Sequence, residues 1–89
     1  MTTATHGSEQ QLIAAAQAGN LHALEALLRR HHERLWRVAQ RLSGPDVSAE
    51  DILQDTLLQI LRTLHQFRGD ARFSTWASAI ARSQAGADQ

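Results

Sequence analysis

The chain has 89 residues, with nine acidic residues balanced by nine basic ones, so its net charge is zero when His is neutral. This length predicts one small domain, and the balanced charge argues against binding polyanions through bulk charge alone. The absence of Cys excludes disulfides and thiolate metal sites. No apolar run reaches the roughly 18 residues of a membrane span and no signal peptide opens the chain, so we expect a cytoplasmic protein without membrane insertion.

Capping patterns and apolar periodicity predict the first two helices. Ser8 with Gln11 fits a capping box and opens a short helix, which Gly19-Asn20 ends. The second helix is predicted over 21–43, where Leu recurs every seven residues, and Ser43-Gly44-Pro45 stops it.

Two further helices follow from the same signals. Ser48 with Asp51 has capping-box spacing and opens a third helix. A fourth segment repeats apolar residues at helical spacing from Phe73 to Ile80. Because no strand alternation occurs, the sequence predicts an all-α fold, a compact bundle of three to four helices.

The domain limits and the core can also be predicted. We expect a disordered N-terminus at residues 1–7, a helical domain at residues 8–85 and a frayed C-terminus at residues 86–89. The core is predicted from the apolar stripes of the last three helices and includes Leu24, Leu28, Leu35, Leu57, Ile60, Leu61, Trp76 and Ile80.

The sequence lacks catalytic and metal-binding patterns. No two of the five His lie four residues apart, no Ser occupies a nucleophile motif, and no Gly-rich phosphate loop is present. His31, on the apolar stripe of the second helix, is interpreted as a packed core residue rather than a ligand. We therefore expect no enzyme activity, no cofactor and no metal site.

Basic residues form a stripe along the second helix, with members Arg30, Arg34, Arg37 and Arg41. One interpretation is a flank that faces phosphates. The other is a solvated face in which Glu33 pairs with Arg37, while Glu25 pairs with Arg29 elsewhere on the helix. We favour the solvated face.

The outward side of the third helix combines acids, an amide and an apolar residue, in the stripe Asp51, Gln54, Asp55, Leu58 and Arg62. An exposed Leu among acids and amides is typical of a partner surface. A solvated face with one stray Leu explains the pattern equally well.

The segment from Phe67 to Trp76 places three aromatic residues and two Arg beside a Gly-containing turn. Aromatic rings near Arg can hold unpaired bases by stacking. The rings can instead complete the core, which is the interpretation we favour for Trp76. Packing explains little of the three charged residues in the turn, which are Arg68, Asp70 and Arg72.

Several short motifs occur in a fixed order: Ala49-Glu50-Asp51, Gln54-Asp55, Phe67-Arg68-Gly69-Asp70, Phe73, Thr75-Trp76 and Ile80-Ala81-Arg82. In this order and spacing they resemble region 2 of the extracytoplasmic-function class of bacterial RNA polymerase sigma factors. Upstream, Ala18-Gly19-Asn20, Ala23-Leu24 and a long Leu/Arg helix are similar to the first two helices of that family. The resemblance covers about residues 9–85.

The resemblance implies two binding surfaces. The third helix would bind the clamp helices of the largest subunit of core RNA polymerase, through Asp51, Gln54, Asp55, Leu58 and Arg62. The following loop and the fourth helix would recognise the promoter −10 element as a melted single strand, through Phe67, Arg68, Asp70, Arg72, Phe73, Ile80 and Ser83. An anti-sigma factor is a further expected partner.

The sequence also departs from the family pattern. Ser83 stands where the family usually has Asn, and Ala77 where it has a larger apolar residue. The helix-turn-helix that reads the −35 element is absent from the 89 residues. We therefore expect a domain cut from a longer protein, a natural truncation, or a sigma-like protein that no longer initiates transcription. The rival functions are a mimic that binds an anti-sigma factor without reading DNA, and a plain helical interaction domain.

Overall fold

A computed structural model describes residues 8–87, so the disorder predicted for residues 1–7 lies outside the described residues. Four helices follow in order, α1 (Glu9–Gln17), α2 (Leu21–Leu42), α3 (Ala49–Thr63) and α4 (Phe73–Ala87), and a 3₁₀ turn at Leu64–Gln66 extends α3. No strand occurs in residues 8–87, which confirms the predicted all-α fold class. No helix in this range is long and apolar enough to cross a membrane. The chain divides into two units whose boundary lies within α2, after His31.

In the first unit, α1 begins and ends at the predicted caps. The Ser8 hydroxyl accepts a hydrogen bond from the Gln11 N–H, and the Gln11 side chain accepts one from the Ser8 N–H, at 3.1 and 3.2 Å. Gly19 ends the helix in the left-handed region at φ 99°, which glycine adopts without steric cost. Asn20 then caps α2, because its side-chain oxygen accepts from the Ala23 N–H at 3.1 Å.

A polar contact joins α1 to the first half of α2. Oε1 of Glu9 lies 2.8 Å from Nε2 of His31 and 3.6 Å from Nη1 of Arg30. His31 is buried, at 9% exposed, as the sequence predicts. Its ring nitrogen is therefore satisfied by a carboxylate rather than left unpaired, which removes the cost of burying it.

Buried residues recur every fourth position along each of the longer helices. They are Ala23, Leu27, His31, Leu35 and Ala39 on α2; Ile52, Thr56 and Ile60 on α3, followed by Leu64; and Phe73, Ala77, Ala81 and Ala85 on α4. Of the predicted core residues, Leu35 and Ile60 lie on these lines and are buried, whereas Leu24, Leu28, Leu57, Trp76 and Ile80 lie beside them and are half-buried. On α4 the line consists of Phe73 followed by three alanines, and larger residues flank it.

The core prediction is wrong for Leu61, which is 47% exposed. The buried face of α3 is turned by about one residue from the predicted face, so that Ile52 and Thr56 point inward instead of Leu53 and Leu57. Thr56 is buried without a polar penalty because its hydroxyl donates to the Ile52 carbonyl at 2.6 Å. Polarity hid this residue from a prediction based on apolar stripes.

The second unit is held at one end by a cluster from three helices. Ala39 of α2, Ile52 of α3 and Ala85 of α4 are buried together, and Leu42, Val47, Ala49 and Leu53 pack against them. Ala85 therefore belongs to the core, and α4 continues to Ala87, beyond the predicted limit of the helical domain at residue 85. The opposite end of α3 and α4 carries the connecting loop.

The burial pattern predicts unequal costs for two truncations. Phe73→Ala removes a ring that is 1% exposed, so it should lower the free energy of unfolding by about 3–5 kcal/mol. Leu61→Ala should cost less than about 1 kcal/mol, because a large part of this side chain already contacts water. Urea unfolding followed by circular dichroism measures both, and similar losses would contradict the assigned faces.

Candidate functional site

The predicted stripe on α3 forms a continuous outward surface, here called the α3 surface. Asp51, Gln54 and Arg62 are exposed, Leu58 is 45% exposed, and Asp55 is half-buried. Residues three and four apart are neighbours on a helix, so these side chains lie in one band along α3. The structure therefore brings together all five residues of this predicted site.

The charges of the α3 surface are available to a partner. Among residues 8–87, none of Asp51, Asp55 and Arg62 makes an ion pair with another side chain. Asp51 lies in the first turn of α3, where its negative charge interacts favourably with the helix dipole. Ser48 caps this turn by accepting from the Asp51 N–H at 3.1 Å. Asp51 thus stabilises the start of the helix, and neither Asp51 nor Asp55 is engaged in an ion pair within the described residues.

Leu61 enlarges the apolar part of the α3 surface. It follows Leu58 by three positions, and both side chains are close to half exposed. The pair forms a small apolar ridge beside Gln54, where the sequence predicts a single Leu. The spacing of three residues from Leu58 is the sequence signal for an exposed Leu61. Leu61 also fits the predicted core stripe, so periodicity alone does not decide whether it is exposed or buried.

The predicted DNA-binding segment contains an exposed loop of residues 68–72, here called the loop. All five of its residues are exposed. Gly69 has φ 84°, a left-handed conformation that reverses the chain direction. At the two ends of the loop, the Phe67 N–H donates to the Leu64 carbonyl and the Trp76 N–H donates to the Arg72 carbonyl, each at 3.0 Å. The loop presents Arg68, Asp70 and Arg72 to solvent.

Three aromatic rings from the two sides of the loop in sequence lie against one another and form what we call the aromatic cluster. The ring centroid of Phe67 lies 5.8 Å from that of Phe73, in an edge-to-face arrangement, and 5.0 Å from that of Trp76. Phe73 and Trp76 are 5.6 Å apart. These separations are typical of favourable aromatic pairs. The cluster joins the residue before the loop to the first turn of α4.

Phe73, one of the predicted DNA contacts, lies inside the aromatic cluster. Its ring is 1% exposed, so in this structure it packs in the core. Phe67 and Trp76 are half-buried. The interpretation of these rings as core packing therefore holds fully for Phe73 and in part for its two partners.

The predicted contacts on α4 lie away from the loop. Ile80 is half-buried and Ser83 is exposed. They follow Phe73 by seven and ten residues, or about 10 and 15 Å along the helix axis at 1.5 Å per residue. The structure thus groups Arg68, Asp70 and Arg72 at one end, and places Ile80 and Ser83 two to three turns further along α4.

The predicted solvated face of α2 has a structural counterpart. Glu25 pairs with Arg29 at 3.1 Å and Glu33 with Arg37 at 3.6 Å, all on exposed side chains, as expected for a solvated face of α2. Within the described part of the chain, no three His, Asp or Glu side chains form a group that could hold a metal ion.

Comparison with known proteins identifies the family. The Sigma-70 region 2 family model matches residues 27–86. The ECF RNA polymerase sigma factor SigM of Mycobacterium tuberculosis is 41% identical over 73 residues, which cover 82% of this chain and 37% of that protein. The RNA polymerase sigma-H factor of Pseudomonas aeruginosa is 30% identical over 77 residues, covering 86% and 40%. The chain belongs to the sigma-70 region 2 family and is of the extracytoplasmic-function type.

A solved structure has the same fold. An engineered region 2 of sigmaE, determined by NMR in complex with GTAAAA, matches with a TM-score of 0.80 and 25% identity, over 92% of this chain and 85% of that chain. The chain spans about two fifths of the length of the curated relatives described above.

The loop geometry predicts opposite effects for two glycine substitutions. Gly69→Ala should lower the free energy of unfolding by about 1–2 kcal/mol, because an L-residue is strained in the left-handed region. Gly86→Ala, within α4, should raise it by up to about 1 kcal/mol, because Ala favours helix. A Cβ atom would meet no neighbour within 4 Å at either position, so steric clash contributes to neither change in the free energy of unfolding. Thermal melts of both variants test it, and equal shifts would contradict the backbone argument.

Proposed function

We propose that this chain is the region 2 module of a sigma factor, which binds core RNA polymerase and recognises the promoter −10 element as single-stranded DNA. The observation that carries the proposal is the family match over residues 27–86, which includes both the α3 surface and the loop. We also propose that the module acts in the cytoplasm and that its binding to polymerase is controlled by an anti-sigma factor.

The α3 surface is the proposed site for the clamp helices of the largest polymerase subunit. Asp51 and Asp55 supply negative charge, and the ridge of Leu58 and Leu61 supplies exposed apolar area. Such a surface fits a basic, partly apolar coiled coil, because complementary charge speeds association and burial of the leucines supplies affinity. Arg62 at the other end of the surface favours an acidic group in the same partner.

The loop and α4 are the proposed site for the single strand. Arg68 and Arg72 can contact phosphates or stack on bases, and each is next in sequence to a ring of the aromatic cluster, Phe67 and Phe73 respectively. The structural neighbour, engineered region 2 of sigmaE, binds GTAAAA, which supports a short single-stranded ligand for this fold. With zero net charge, the domain has little general attraction for duplex phosphates.

A second candidate function is a sigma mimic that binds an anti-sigma factor and ignores DNA. Ser83 favours it, since a hydroxyl cannot offer the paired donor and acceptor of the Asn that the family usually has at this position. Both candidates retain the α3 surface as a protein contact. They differ at the loop and α4, so DNA binding separates them.

Charge reversal tests the polymerase surface. Asp51→Arg combined with Asp55→Arg should weaken binding to a clamp-helix fragment of polymerase at least tenfold, or about 1.4 kcal/mol, because two acids would then repel a basic partner. A binding titration measures affinity, and circular dichroism checks that the helices remain. The matched control is Glu33→Arg on the solvated face of α2, which should bind like the wild type. Unchanged affinity in the folded double variant would remove the α3 assignment.

DNA preference tests the loop. In the presence of core polymerase, the domain should bind a single-stranded −10-like oligonucleotide more tightly than its duplex. Arg72→Ala should weaken binding to the single strand about tenfold, within the 1–3 kcal/mol per base expected of stacking. Ser83→Asn should sharpen base choice, because an amide presents its donor and its acceptor on two adjacent atoms and can pair with both at once, which a single hydroxyl cannot. Fluorescence anisotropy measures each affinity.

Equal binding to both forms of DNA, unaffected by either substitution, would support the mimic. Binding to the single strand that depends on Arg72 would exclude it.

A further inference from the structure

We propose that the chain binds a second copy of itself, through a contact between the basic stripe on α2 of one copy and the α3 surface of the other. The part of the stripe that makes this contact lies in the second unit and consists of Arg34, Arg37 and Arg41, here called the α2 stripe. The contact itself does not depend on the proposed function. Its consequence does, because a copy whose α3 surface is covered cannot bind polymerase through it.

The α2 stripe carries positive charge that the chain itself leaves largely unpaired. All three of its arginines are exposed. Arg37 lies 3.6 Å from Glu33, and since both side chains are well exposed, this ion pair is weak. Within residues 8–87, the side chains of Arg34 and Arg41 form no hydrogen bond or ion pair. The stripe is therefore open to an acidic partner.

The α3 surface carries the opposite charge in the same unit. Asp51 and Asp55 make no ion pair within the described residues, so the two surfaces do not neutralise one another inside one copy. Charges that stay apart in one copy can meet between two copies. The net charge of zero leaves no overall repulsion to oppose that meeting.

The spacing of the charges is the same on the two surfaces. Arg37 and Arg41 are four residues apart, and so are Asp51 and Asp55. Each pair is therefore separated by about 6 Å along its helix axis. When α2 of one copy runs antiparallel to α3 of the other, Asp51 faces Arg41 and Asp55 faces Arg37. Both ion pairs form in a single register.

The same register covers part of the apolar ridge. Leu58 follows Asp55 by three positions, and Arg34 precedes Arg37 by the same interval, so Arg34 lies opposite Leu58. The aliphatic stem of Arg34 and half-buried Val38, four positions further along α2, supply apolar surface there. Leu58, at 45% exposed, gains cover from water. Exclusion of water also strengthens the neighbouring ion pairs.

Sedimentation equilibrium of the complete chain tests the contact. The wild type should self-associate at low salt and dissociate as salt rises from about 0.01 to 0.15 M, because the Debye length falls from about 30 to 8 Å. Two double variants, Asp51→Arg with Asp55→Arg and Arg37→Glu with Arg41→Glu, should each raise the dissociation constant about tenfold or more, since like charges then face one another. Circular dichroism checks that both remain helical.

The two double variants should associate with each other although neither associates with itself. The acid-reversed copy keeps its α2 stripe and the arginine-reversed copy keeps its α3 surface, so an equimolar mixture restores one wild-type contact. A mixture that remains monomeric would overturn the proposal. A wild type that stays monomeric at low salt, up to the highest concentration at which it dissolves, would overturn it as well.

The matched control is Arg29→Glu combined with Arg82→Glu. It reverses two other exposed arginines and gives the same net charge as the arginine-reversed variant, but it leaves both surfaces intact. It should therefore self-associate more strongly than that variant. Equal losses would mean that net charge alone governs self-association, and they would contradict a specific contact.

A clamp-helix fragment of polymerase separates this inference from the proposed function. Added to the self-associated wild type, the fragment should release single copies bound to it, because both ligands use the α3 surface. A wild type that self-associates but does not bind the fragment overturns the proposed function and leaves the contact between copies in place. A wild type that binds the fragment but never self-associates overturns the inference alone.

Discussion

Helix α4 packs closely because a row of alanines lies along its buried side. This row also determines how the other residues of α4 are oriented. Ala77, Ala81 and Ala85 are each at most 6% exposed, α4 packs on α3, and Ala85 is buried together with Ile52 of α3. Side chains this small allow two helices to approach, whereas larger ones would force them apart or turn them. The row therefore fixes the rotation of α4 about its axis, which places Ser83 outward and keeps Phe73 inside.

The same constraint operates on α3 and determines what a partner meets. Ile52, Thr56 and Ile60 occupy the buried side, so the acids and the ridge of Leu58 and Leu61 are turned outward. The buried Thr hydroxyl is satisfied within its own helix at 2.6 Å, so it needs no partner from another element. The proposed binding of polymerase at this outward side accounts for large apolar residues that remain exposed in so small a domain.

A net charge of zero conceals an uneven distribution of charge. Helix α2 carries five Arg and two Glu, whereas α3 carries three acids and one Arg. The loop adds two Arg and one Asp beside the aromatic cluster. Local fields rather than total charge steer association, so a neutral domain can offer an acidic surface to one partner and arginines to another. Balanced charge therefore limits attraction to duplex DNA in general without preventing contact with one short strand.

The amino-acid sequence by itself determined the all-α fold class, the helix caps and the family. Ser8, Asn20 and Ser48 cap their helices through bonds between neighbours in the chain, which is why local spacing was enough to predict them. The residues of the α3 surface and of the loop were also predicted from local spacing, because they are near one another in the chain. The tertiary structure decided which side of each apolar stripe is buried. A helical stripe is at least about 100° wide, and only the neighbouring helix, distant in sequence, selects the line of contact within it. That selection exposed Leu61 and buried Thr56, two results that periodicity could not provide.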